Sequence, residues 1–229
     1  MRKLILLVLL FGIAAPAGAQ HSTATLHLRP LFNAQPVVPG QPVFNPKKND
    51  SLRIDVLRFY ISDIRFYKHD SLVATDSLFH LVDMEHPGSL RIACAFSKPV
   101  NFDRVKFNIG VDSLTNVSGV AGGDLDPTKG MYWAWQSGYI NFKLEGYSPQ
   151  CKTRHQKFQY HLGGYLAPFA TLKQVELRCP AGEKDLQLEM NLDAFFAAVD
   201  FSACSEVMSP GEQALKLSAN LPSLFRIAK

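Results

Sequence analysis

Val105-Lys106-Phe107-Asn108-Ile109-Gly110-Val111 decides the fold class. Val105, Phe107, Ile109 and Val111 recur at every second position, with Lys106 and Asn108 between them. Successive side chains of a strand face opposite sides, so this spacing reads as a half-buried β-strand. The same alternation carries Ile140, Phe142 and Leu144, and again Leu186, Leu188, Met190 and Leu192. Weaker strands are expected at 25–28, 52–59, 61–67, 81–83, 91–96, 158–162 and 172–178. The apolar face changes side near Val56-Leu57, which predicts a bulge or bend there. Helix is scarce. Asp193 is placed to cap a short turn over 194–199. Ser209-Pro210-Gly211-Glu212 carries a helix-start signature that predicts a short C-terminal helix to about Asn220, ahead of Pro222. Two long connections, 32–50 and 112–130, lack periodicity, and long connections often carry function. Many short strands with turn signals between them predict an all-β protein, an antiparallel β-sandwich closed by a short C-terminal helix.

The N-terminus decides the compartment. Arg2 and Lys3 precede an uncharged run from Leu4 to Ala15, and Ala17-Gly18-Ala19 offers the small-x-small pattern of a cleavage site. This predicts a signal peptide over 1–19 and a single mature domain over 20–229. The run is shorter than the roughly 20 residues a bilayer core needs, so no membrane anchor is expected. Export places the chain in the periplasm or outside the cell. Removing Arg2 and Lys3 leaves 22 basic against 20 acidic residues, a net charge of +2. That balance, without a basic stripe, argues against nucleic acid as a partner. Cys94, Cys151, Cys179 and Cys204 all lie in the mature chain. In an oxidising compartment they predict two disulfides. Cys151–Cys179 is the favoured pair, because the two flank an expected hairpin, and Cys94–Cys204 follows. No C-x-x-C spacing supports a four-cysteine zinc site.

The chain has no G-x-S-x-G elbow, no H-E-x-x-H and no phosphate-binding loop, and it is read as a protein without turnover of its own. Asp124 and Asp126 resemble the opening of a calcium loop. Without the later Gly and Glu of that motif, a polar turn is the better reading. Of seven histidines, His80 and His161 stand out, because each lies at or in an expected strand that would hold its imidazole rigidly. The stretch 130–139, Gly-Met-Tyr-Trp-Ala-Trp-Gln-Ser-Gly-Tyr, holds both tryptophans, Trp133 and Trp135. On a strand, that spacing puts the two indoles on one face. They serve either as core fillers or as an electron-rich group beside a redox centre.

The phrase Met131 to Tyr139 resembles the signature of the MbnP family, exported copper-associated proteins first known from methane-oxidising bacteria. Further blocks occur in the same order. They are Phe59-Tyr60-Ile61-Ser62-Asp63-Ile64, His80-Leu81-Val82-Asp83, Ile109-Gly110-Val111-Asp112 with Asn116, and Gly123-Asp124-Leu125-Asp126-Pro127-Thr128. Glu145-Gly146, Tyr160-His161-Leu162-Gly163 and Val207-Met208-Ser209-Pro210-Gly211 follow the tryptophans. The resemblance implies a β-rich fold, export and copper binding. It implies a tryptophan oxidised to kynurenine beside the metal, Trp133 or Trp135 with preference for Trp135, by a diheme cytochrome partner of the peroxidase type. It makes His80 and His161 the ligand candidates. A thioether, Met208 or Met131, would favour Cu(I). Where a histidine is expected just before Val207, this chain reads Cys204-Ser205-Glu206.

The expected function is therefore copper capture by His80, His161 and Met208, with a further ligand made from tryptophan. The alternative is a metal-free β-sandwich that binds a glycan or a partner protein on exposed indoles. An enzyme built on Asp124, Asp126 and a histidine ranks below both, and would need those groups to converge in one cleft.

Overall fold

In the computed structural model, which describes residues 22–46, 49–136 and 138–228, the alternating stretches become strands of two facing sheets. The segment 1–19 lies outside the described residues. In chain order the strands are β1 (Ser22–Phe32), β2 (Gln35–Pro36), β3 (Pro42–Asn45), β4 (Asp50–Lys68), β5 (Ser71–Asp83), β6 (Arg91–Phe96) and β7 (Arg104–Ile109). They continue with β8 (Tyr132–Trp133), β9 (Gly138–Tyr147), β10 (Lys157–Gly163), β11 (Lys173–Arg178), β12 (Asp185–Asn191), β13 (Glu206–Val207) and β14 (Phe225–Ile227). Three short helices are α1 (Ser113–Ser118), α2 (Asp193–Ala197) and α3 (Glu212–Ser218).

The smaller sheet runs β14-β12-β1-β2, with β6 also on β1. The larger is organised by β4. One edge of β4 pairs with β9 over Arg53–Phe59 and then with β7 over Ile61–Tyr67; the other pairs with β3 and then β5. Two strands thus share one edge, end to end. Gly110 sits at their junction with φ +116°, and a Cβ there would lie 2.4 Å from Asn141 Cγ. Asn141 fills the gap: its Oδ1 accepts from Val111 N at 2.9 Å, and its Nδ2 donates to Thr171 Oγ1 at 2.9 Å. Only glycine meets both the close approach and the backbone angle.

The sandwich is mixed rather than wholly antiparallel. β1 pairs parallel with β12, and β10 with β13. Parallel pairing requires long crossovers, and here most of the chain separates β1 from β12. The segments 52–59 and 61–67 form one strand, β4, with the expected register shift between Ile54 and Val56 and a second at Asp63, whose φ is +50°. The core lies between the sheets. Phe225 of the smaller sheet sets its ring 5.9 Å from Phe59 and 5.5 Å from Phe107 of the larger. Each fully buried ring of this kind contributes about 1.5–3 kcal/mol.

All four cysteines are free thiols, and neither expected disulfide is formed. Topology explains why. β10 and β11 are not a hairpin: β10 pairs with β9 and β13, while β11 pairs with β7. Cys151 follows the end of β9 level with Arg53, and Cys179 follows β11 level with Tyr67. That length of β4 is on the order of 40 Å at about 3.3 Å per residue, far beyond disulfide reach. Cys94 lies in β6, with its thiol on Asp76 of β5, whereas Cys204 lies beside β13 at the opposite edge.

Candidate functional site

Register builds one polar row across the outer face of the larger sheet. Asp83 pairs with Arg58, Arg58 with Lys143, and Lys143 with His161, through β5, β4, β9 and β10. Directly paired residues point to the same side, so all four face outward, away from Phe59, Phe142 and Leu162 in the core. Arg58 Nε lies 2.9 Å from Asp83 Oδ2 as an ion pair, and Arg58 also meets Glu85. His161 Nε2 lies 2.7 Å from Glu145 Oε1, and Lys143 Nζ lies 3.3 Å from the same oxygen. The hydrogen bond from His161 pulls the Glu145 carboxyl down to about 2, against burial and with help from Lys143.

This row seats the tryptophan loop. Arg58 Nη1 donates to Lys129 O at 3.2 Å, and Lys143 Nζ to Gly130 O at 3.3 Å. Gly130 turns the chain in the left-handed region, Met131 is buried, and Tyr132–Trp133 pairs back on Gly138–Tyr139. Trp133 then lies against Gly163, two residues along β10 from His161. A Cβ at Gly163 would come 2.6 Å from the indole. The Leu-Gly that follows His161 is therefore a seat for the ring. The chain turns at Ala134, so the two indoles do not share a strand face as expected. Trp133 is 6% exposed and Trp135 is 68% exposed, with their rings 5.9 Å apart. Beside Trp133 a cleft of about 410 Å³ opens between the loop, Tyr165, Phe169 and Pro210, and none of the described residues that line it is charged.

The expected ligand set does not come together. His80 pairs with Ile61 and shares the inward parity of Val82, so it faces the opposite side of the sheet from His161. Its Nε2 lies 3.3 Å from Asp76 Oδ2. Burial pushes the Asp76 carboxyl up, but hydrogen bonds from His80 and Leu78 N outweigh it and hold the carboxyl below its usual range. Met208 is different. Val207 pairs with Tyr160 in the parallel β10–β13 ladder, so Met208 follows at the level of His161 and is 41% exposed. Among the described residues no three His, Cys, Asp or Glu side chains converge to hold a metal. Among the described residues, the tryptophan face offers the His161 imidazole and the Met208 thioether, with Met131 buried in the cluster around Trp133.

Asp124 and Asp126 hold turns. Asp126 Oδ1 accepts from Thr128 N at 2.8 Å, and Asp124 pairs with Lys129 Nζ and accepts from Leu81 N. Asp83, His86 and Asp124 do line one cleft of about 500 Å³. Each of its acids is tied to a cation, and Ser89 Oγ donates to the carbonyls of Asp83 and His86. Sequence reasoning gave no role to Arg58, Lys143, Glu145 or Gly163, although Glu145 and Gly163 stand in blocks that carry the family resemblance. Lys143 and Glu145 alternate with the core residues of β9, which marks them as outward, but their partners depend on register.

No helix among the described residues is long and apolar enough to cross a membrane. No curated protein matches this chain. A solved structure, MbnP from Methylosinus trichosporium, shares the fold with a TM-score of 0.64 over 84% of this chain and 83% of that one, at 16% identity. The MbnP family model matches residues 21–209, which takes in the tryptophan loop, His161 and Met208. The chain belongs to the MbnP family.

Proposed function

We propose that this chain is an exported copper-associated protein without turnover of its own, working through the tryptophan face. The observation that carries this reading is the seating of Trp133 on Gly163, two residues from a His161 whose Nε2 is fixed by Glu145. A metal-binding histidine usually gives its other nitrogen to a carboxylate, a backbone carbonyl or water, which orients the ring. His161 and Met208 are the residues that would hold copper, and an imidazole with a thioether suits Cu(I). His80, on the far face, has no part in it.

A diheme cytochrome of the peroxidase type is the proposed partner, and Trp135 the indole within its reach. Two equivalents of peroxide would each give one oxygen and leave as water. The oxygens add at C2 and C3 as the C2–C3 bond breaks, leaving C2 as an N-formyl group. Hydrolysis then releases C2 as formate and leaves the aromatic amine of kynurenine. The net gain is about 4 Da.

Elemental analysis of the purified mature chain tests the copper reading. Copper should fall by more than half in His161→Ala and hold in His80→Ala. Equal copper in wild type and His161→Ala removes His161 from the site. Peptide mapping after co-expression with the cytochrome should place the added mass on Trp135. A second reading has its own support. The uncharged cleft beside Trp133, with Trp135 exposed at its side, suits a metal-free module for a glycan or a partner protein. Wild-type protein that takes up no copper in solution would favour it.

A further inference from the structure

We propose that Cys151 and Cys204 form a disulfide that fastens β13 to the edge of β10. The two lie at the same corner of the larger sheet, one after β9 and one before β13. The Cys151 side chain hydrogen-bonds the Ser205 side chain, which places this thiol beside the residue that follows Cys204. Ser205 is itself fixed to the sheet, since its carbonyl accepts from Gln159 N at 2.9 Å. Tyr160 Oη donates to Cys204 O at 2.7 Å and anchors the other backbone. Cys204 packs at the edge of the core, and its Sγ lies 3.9 Å from Glu206 O, a weak hold against rotation about its single χ1 bond. Cys94 and Cys179 lie at distant positions, so this is the pairing the topology allows at that corner.

Thiol–disulfide exchange with a small disulfide supplies the oxidation. Cys204, the more exposed of the two, attacks as thiolate and displaces one donor thiolate, leaving a mixed disulfide. The Cys151 thiolate attacks the Cys204 sulfur and expels the second donor thiolate. Two protein thiols lose two electrons, one donor disulfide gains them, and the two protons end on the released thiols. Burial raises the Cys151 thiol, against a lowering hydrogen bond from Ser205, so its attack is the slower of the two steps. β13 is two residues long and runs directly into Met208. The cross-link would fix that segment at the level of His161, whatever the protein binds.

The purified chain, incubated with oxidised glutathione, alkylated without reductant and digested with trypsin, gives the test. The expected product is one linked species joining peptide 144–152 to peptide 185–216, with the Cys94 and Cys179 peptides alkylated after unfolding. Cys151→Ser should leave Cys204 alkylated or glutathionylated, and its melting temperature should no longer fall on reduction as the wild type's does. Alkylation of both Cys151 and Cys204 in the wild type, or a link from either to Cys94 or Cys179, would overturn the proposal.

Discussion

Gly163 shows how a single atom governs the site. The indole of Trp133 occupies the space its Cβ would need, with the Tyr139 carbonyl at 2.8 Å on the same side. Gly163→Ala must move the ring or the strand, and overpacking of this kind costs about 1–3 kcal/mol. Denaturant unfolding should show that loss, together with a red shift of tryptophan emission as Trp133 becomes wetter. An unchanged spectrum and stability would mean that the indole does not rest there. This seat was half legible in sequence. His161-Leu162-Gly163 could be placed on a strand by alternation, and His161 could be set opposite Phe158, Tyr160 and Leu162. What lies over the glycine depends on a hairpin 30 residues earlier in the chain, and no local pattern encodes it. Glu145 was hidden for the same reason.

At the scale of elements, period-two runs were readable wherever one face is buried. β7 and β12 match their predicted faces, and β9 does over Phe142 and Leu144. Ile140, expected with them, packs instead with Trp133, beyond the register shift at Leu162/Gly163. The first half of β5 was missed because Leu72 and Leu78 are exposed, so the strand extends over solvent without alternation. The start of α3 was misplaced. Ser209 and Pro210 carry a capping signature, yet the helix begins at Glu212 with Gly211 as its uncapped N-terminal neighbour. Pro210 is occupied elsewhere: it packs on Gly164, where a Cβ would lie 3.0 Å from it. Tertiary packing here outweighs a local preference of about 1 kcal/mol. Ser209→Ala should therefore change stability by less than about 0.5 kcal/mol. A loss of a full kcal/mol in thermal or chemical unfolding would show that the serine caps the helix after all.

Across the whole molecule, β5 is fastened to its surroundings by buried carboxylates, and this makes stability depend on pH. Asp76 links β5 to Cys94 of β6, the strand on the smaller sheet. Asp83 links it to Arg58, to His86 Nδ1 at 3.0 Å and to Glu85 N at 3.0 Å. Burial pushes the Asp83 carboxyl up, but the Glu85, His86 and Arg58 contacts outweigh it, so it titrates below its usual range in the fold. A carboxyl with a depressed folded pKa contributes its stability above the unfolded value, near 3.9. That contribution is lost as pH falls through the folded pKa. Asp83→Asn should cost about 1–3 kcal/mol at pH 7, because Arg58 keeps only Glu85 and carbonyl contacts. The difference from wild type should narrow only as the pH falls below about 3.9 and through the folded pKa, where the wild-type carboxyl also becomes neutral. Urea unfolding across that range checks both the size and the sign. Parallel curves for the two proteins would show that Asp83 is not held ionised by the fold.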